Sequence, residues 1–227
     1  MTAETAPWDD LRVALSVVVP RAAVERYAGW PPGAPRRADL LARLDALWDP
    51  CADLVNARGC ARVVTGDEAR KAGVPGPAPI VGLALCTIGP GVEQEAQRLA
   101  KAGAVVDALL VGAFGSAAVE AAADALEARI VAHAPPAWGA ATPRFSPGYG
   151  GWDVSHQRDL LARLPAPELG VSLTDGAMMV PCKSVSFVVG FHPGGTGAAT
   201  RRGCEGCGRA DCPYRRSMIN VVGSQVP

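Results

Sequence analysis

The sequence predicts an α+β fold, one domain with a mostly antiparallel sheet and its helices clustered together. Three observations carry this. Valine-rich apolar runs, the mark of strands, stand near both ends of the chain, at Leu11 to Val19 and at Ser184 to Phe191. The middle, from about Val92 to His133, is dense in alanine and reads as helix. No glycine- and proline-rich linker is long enough to divide the 227 residues, so residues 1–227 are read as a single domain.

Taken in order, Leu11 to Val19 is a buried strand, and Pro20 stands where a helix would begin. That helix runs from Arg21 to Ala28 and stops at Gly29. After the rigid stretch Trp30 to Pro35, the spacing of apolar residues predicts a helix from Ala38 to Trp48, interrupted by Pro50 and resuming to about Arg58. Cys60 to Thr65 and Pro79 to Thr87 are strands. Gly89-Pro90-Gly91 turns the second of them into a helix starting near Val92, with Glu93 in its first turn. Ala104 to Val111 and Ser116 to His133 are helical, separated at Gly112-Ala113-Phe114-Gly115. Glu120, Asp124 and Glu127 are expected on a solvated face of the second. Val154 to Leu164 is amphipathic with Ser155 as a cap, and Val171 to Leu173 and Ser184 to Phe191 are β-rich.

Lysine plus arginine balance aspartate plus glutamate at 22 each, so the chain lacks the basic field of a nucleic-acid binder or of a protein held to an anionic membrane. No apolar run reaches the roughly 18 residues of a membrane span, and residues 1–10 lack the pattern of a signal peptide, so a cytoplasmic protein is expected. Seven cysteines are an odd number. Cys51, Cys60 and Cys86, isolated among apolar residues, read as core thiols. Cys204, Cys207 and Cys212 are spaced Cys-x2-Cys-x4-Cys among glycines, within a cysteine-rich loop at residues 201–216, and read as metal ligands. Cys182 is the first candidate for a fourth ligand of an iron-sulfur cluster. Structural zinc, completed by Cys182 or His192, or no metal at all, are the alternatives. His133 and His156 have no ligand partner at useful spacing and read as surface residues.

Between the two apolar blocks lies Pro143-Arg144-Phe145-Ser146-Pro147-Gly148-Tyr149-Gly150-Gly151-Trp152. Its prolines stiffen the backbone, its glycines allow close approach, and Arg144 offers a planar fork for a carboxylate. An ordinary surface turn would use many of the same residues. Downstream come Leu173-Thr174-Asp175 and Pro181-Cys182-Lys183-Ser184-Val185-Ser186. In this order, the Arg-x-x-x-Gly-Tyr turn, the Leu-Thr-acid strand and the Pro-x-x-Ser-Val-Ser strand resemble the activation domain of cobalamin-dependent methionine synthase, in a free-standing form with a terminal cysteine cluster. The resemblance runs from roughly Ala78 onward.

That resemblance implies a site for S-adenosylmethionine. Arg144 would pair the ligand carboxylate, the backbone of Ser146, Pro147 and Gly148 would hold the adenine, and Tyr149 would line the methionine end. Glu120 matches the family acid that contacts the ligand. The chain departs from the pattern after the Ser-Val-Ser strand, where the larger enzymes place tyrosines and this one has Gly194 to Thr200. The implied activity is reductive methylation, in which cobalt(II) is reduced to cobalt(I) and trapped by methyl transfer from the sulfonium. With no Asp-x-His-x-x-Gly motif for cobalamin, the corrinoid is expected on a partner, a corrinoid protein or methionine synthase core, together with an electron donor. A non-catalytic zinc-binding interaction protein is the competing reading.

Overall fold

A computed structural model of the chain describes residues 11–30, 37–149 and 151–194. In chain order its elements are β1 (Leu11–Ala14), α1 (Arg21–Tyr27), α2 (Ala38–Asp53), β2 (Arg58–Thr65), α3 (Gly66–Lys71), β3 (Ile80–Thr87), α4 (Gly91–Lys101), α5 (Val105–His133), β4 (Ala140–Ala141), α6 (Gln157–Leu161), β5 (Ser172–Leu173), β6 (Met179–Val180) and β7 (Ser184–His192). One antiparallel sheet runs in the order β1-β2-β3-β7-β4, and β5 and β6 form a separate pair. The α+β class and the antiparallel sheet are as the sequence predicts.

The central strand β3 is buried at all eight positions, because each face of the sheet carries its own apolar layer. Strand geometry sends alternate side chains to opposite faces. Ile80, Ala84 and Cys86 of β3, with Phe187, Val189 and Phe191 of β7, join the layer under α5. Val81, Leu83, Leu85 and Val188 join the opposite layer, with Trp152, Leu160 and Leu169. Alanine and glycine let α5 lie close to the sheet: a Cβ on Gly59 would stand 2.9 Å from Leu126, which occupies that space instead.

Several elements differ from their sequence-based expectation. Strand β1 stops at Ala14, because its partner β2 begins at Arg58 and Ala14 pairs with that residue. Pro50 sits inside α2 without breaking it. It falls in the last turn, so the helix forgoes one bond and ends at Asp53, leaving Arg58 to open β2. Gly112 to Gly115 do not divide α5, which runs through them for 29 residues. Gly115 is small for a tertiary reason: a Cβ there would meet Val92 at 3.0 Å and Lys183 at 3.2 Å. Asp153, not Ser155, caps the segment before α6, its carboxylate accepting the Ser155 backbone N–H at 2.8 Å. Helix α3 is not among the elements expected from the sequence; it starts at Thr65-x-x-Glu68, whose side chains form a reciprocal capping box.

The expectation about membrane spans needs correction. By length and composition α5 is apolar enough to cross a bilayer, but half of its most apolar stretch is buried inside the fold. Leu126, Ile130 and Phe114 are fully buried in the layer above the sheet, so this is a core helix.

Candidate functional site

Glu120, Asp124 and Glu127 stand at helical intervals of four and three, which puts them on one flank of α5. They are not a solvated face. Arg144 lies against them. Its Nη2 donates to Glu120 at 2.8 Å, its Nη1 donates to Glu127 at 3.0 Å and to Asp124, and its backbone N–H donates to Glu127 at 3.2 Å. The guanidinium also stands 6.0 Å from the Phe187 ring centroid, over a fully buried aromatic of β7. Only 19% of the Arg144 side chain is exposed, against 12% for Glu127, 32% for Glu120 and 57% for Asp124. Burial works against the arginine charge. The hydrogen bond and charge of Asp124, with the charge of Glu120 and the bond to Glu127, outweigh it and hold the Arg144 pKa above its usual value.

Two pins on β7 aim this side chain. Thr142 donates its N–H to the Gly190 carbonyl at 2.8 Å and accepts the Gly190 N–H on its hydroxyl at 2.9 Å. Phe145 exchanges backbone bonds with Val188 at 3.0 and 2.8 Å. Phe145 then stacks on Trp152 in the opposite apolar layer, while Arg144 goes to the α5 side. Ser146 to Tyr149 form a tight turn: the Tyr149 N–H donates to Ser146 and the Gly148 N–H to the Trp152 carbonyl at 2.7 Å. Pro147 is buried. Gly148 has φ +91° and no atom within 4 Å of a Cβ position, so its backbone is open on that side. Tyr149 is 68% exposed, an aromatic ring standing free beside the turn.

The Ser-Val-Ser strand is structural in its serines. Ser184 and Ser186 are buried; the Ser184 hydroxyl lies 2.9 Å from that of Thr87 and 2.8 Å from the Pro181 carbonyl, and Ser186 donates to Gln157 at 3.1 Å. Buried hydroxyls of this kind keep partners because desolvation without one is costly. Farther along the same flank of α5, Ser116 accepts from Lys183 at 2.8 Å, and beyond it a shallow apolar groove of about 360 Å³ opens between α4 and α5, with Leu109 and Cys182 on its walls.

Among the described residues no three cysteine, histidine or acidic side chains are grouped to hold a metal. Cys204, Cys207 and Cys212 lie outside the described residues. Cys182 is exposed at the start of β7, its N–H bonded to Glu93 at 2.9 Å, whereas His192 is at the strand's other end. Cys51, Cys60 and Cys86 are buried core thiols, as their apolar neighbours predict. Burial pushes Cys51 up to about 11 and Cys86 up to about 12. Only the thiolate is nucleophilic. Burial and the hydrogen bond to Glu93 raise the Cys182 pKa as well, so exposure is what separates the four. An alkylating reagent applied to the native chain should modify Cys182 and leave Cys51, Cys60 and Cys86 unmodified until denaturant is added; peptide mass analysis reads the outcome, and prompt labelling of Cys86 would contradict this packing.

The structure thus brings together Glu120 and Arg144, and sets Ser146 to Tyr149 next to them. Asp124 and Glu127 belong to the same cluster. The available signal for them was their spacing on Glu120's own helical face.

No protein-family model matches this chain, and no curated protein matches it in sequence. In structure it is similar to the MetH reactivation domain, solved in a crystal structure bound to AdoHcy: 17% sequence identity, a TM-score of 0.54, and coverage of 84% of this chain and 80% of that one. At this identity the likeness establishes the fold.

Proposed function

We propose that the chain is an S-adenosylmethionine-binding module that supports reductive methylation of a corrinoid carried by a partner. The observation that supports this most is the direct pairing of Arg144 with Glu120 beside an open glycine turn. An α-amino acid presents a carboxylate and an ammonium close together, and an arginine beside a glutamate offers the complementary pair. The turn adds open backbone at Gly148 and an exposed ring at Tyr149, which suit an adenosine moiety and the chain that joins it to the amino acid. Similarity to a fold solved with AdoHcy bound points the same way.

When bound, the sulfonium supplies an electrophilic methyl group for a partner's cobalt centre, which an external one-electron donor has reduced. This chain's residues bind and orient. Arg144 fixes the amino-acid end, Phe187 and the three carboxylates hold Arg144, and the Thr142 and Phe145 pins hold the turn. Such positioning supplies rate through proximity, and no side chain is required as acid or base. The partner is a corrinoid protein or methionine synthase core, and the setting is the cytoplasm. The cysteine cluster's metal falls on residues outside those described, and the methyl-donor reading does not depend on it.

Titration calorimetry with S-adenosylmethionine tests the reading. The wild-type chain should bind one ligand, and Glu120→Gln should weaken binding by about tenfold, because the ammonium loses its charged acceptor while the size of the side chain is kept. The melting temperature of the ligand-free variant should stay near that of wild type, since Glu120 is one of three acids on Arg144. Absence of binding to the wild type would end this reading.

A further inference from the structure

We propose that Asp124 and Glu127 make the site selective for a sulfonium cation over the neutral thioether left after methyl transfer, with Asp124 the separable part of that selectivity. The inference rests on the reading above and deepens it. It begins with a charge count. Three carboxylates face one guanidinium, leaving two net negative charges. An ordinary α-amino acid needs Arg144 for its carboxylate and one acid for its ammonium, so recognition of that portion leaves the surplus in place.

The hydrogen bonds show which acid is exchangeable. Nη2 of Arg144 donates to Glu120 alone, and among the described residues Nε has no partner, while Nη1 donates to both Asp124 and Glu127. A carboxylate is best gripped by two parallel donors. The Nε–Nη2 edge provides them at the cost of a single displacement. Glu120, released from that edge, is then free to accept the ammonium. Asp124 and Glu127 stay on Nη1 and keep the guanidinium oriented. With a zwitterion bound, the cluster and ligand together still carry two negative charges if the sulfur is a thioether and one if it is a sulfonium. Loss of the methyl group therefore weakens the ligand's hold, and the spent product leaves more readily than the donor.

A purely positioning role for these acids makes a different prediction, because a misplaced Arg144 would weaken every ligand that carries the amino-acid portion. Asp124 is the better probe. More than half exposed, it contacts Arg144 through Nη1, whereas Glu127 also accepts the Arg144 backbone N–H and anchors the turn.

The experiment is titration calorimetry on the intact chain, wild type and Asp124→Asn, with S-adenosylmethionine, S-adenosylhomocysteine and sinefungin, whose protonated amine replaces the sulfonium. The variant should weaken both cationic ligands on the order of fivefold more than the thioether, as expected for one charge at a partly solvated site. Equal losses for all three ligands, or no loss, would overturn the inference, as would a loss confined to S-adenosylmethionine. In the wild type the affinity ratio of sulfonium to thioether should fall as salt is raised, and this test needs no variant; a salt-independent ratio counts against the inference. Wild-type chain that binds none of the three would instead overturn the functional reading itself.

Discussion

Arg144→Lys is expected to lower S-adenosylmethionine affinity by about 2 kcal/mol, roughly thirtyfold, while leaving the ligand-free chain folded. Lysine keeps the positive charge that Glu120, Asp124 and Glu127 surround, so the three acids stay partly compensated. It lacks the fork. One ammonium cannot serve Glu127 and Asp124 from one side and grip a carboxylate by two parallel bonds from the other. Arg144→Ala should bind at least as poorly and should also destabilise the free chain by about 1–2 kcal/mol. That figure is well below the cost of breaking a fully buried pair, because Asp124 and Glu120 are open enough to be screened. Calorimetry reads the first effect and thermal unfolding the second. A lysine variant of wild-type affinity would remove the guanidinium from the site.

Much of the architecture was legible because local and tertiary preferences agree. The apolar runs of β3 and β7 are strands buried on both faces, and the alanine-dense middle is the helix that covers one of them. Disagreement appeared where tertiary contacts override local chemistry. Gly115 is a poor helix residue in isolation, but α4 and Lys183 press against it, so the glycine that looked like a break is a point of close packing. Pro50 costs α2 one bond in its last turn, and the helix still runs three residues beyond it to Asp53. The site divides the same way. Arg144, Gly148 and Glu120 stood out through a motif and a resemblance. Asp124 and Glu127 looked like solvated acids, because a helical face reveals its partner only when a distant segment lies on it. That segment is aimed by Thr142 and Phe145, which bond to Gly190 and Val188 of β7 and carry no charge of their own.

Phe187→Ala should destabilise the chain by about 3–5 kcal/mol, a large share of the roughly 5–15 kcal/mol that holds a domain of this kind together. Phe187 is fully buried in the layer between β7 and α5, and its direct cross-strand neighbour on β3 is Ala84. Small neighbours cannot swing in to fill the space, so the cavity persists and the full cost of lost contacts is felt. Phe187→Leu keeps most of the volume and should cost only about 1 kcal/mol, but it removes the aromatic face over which Arg144 stands. The pair of variants separates stability from binding. In urea titrations the alanine variant should show a much lower midpoint with an unchanged slope, and the leucine variant a small shift. In ligand titrations the leucine variant should still lose affinity, by about 0.5–1 kcal/mol, because the guanidinium has lost the surface that fixes its plane. An alanine variant within about 1 kcal/mol of wild type would mean that the β7–α5 layer is not the core on which Arg144 is mounted.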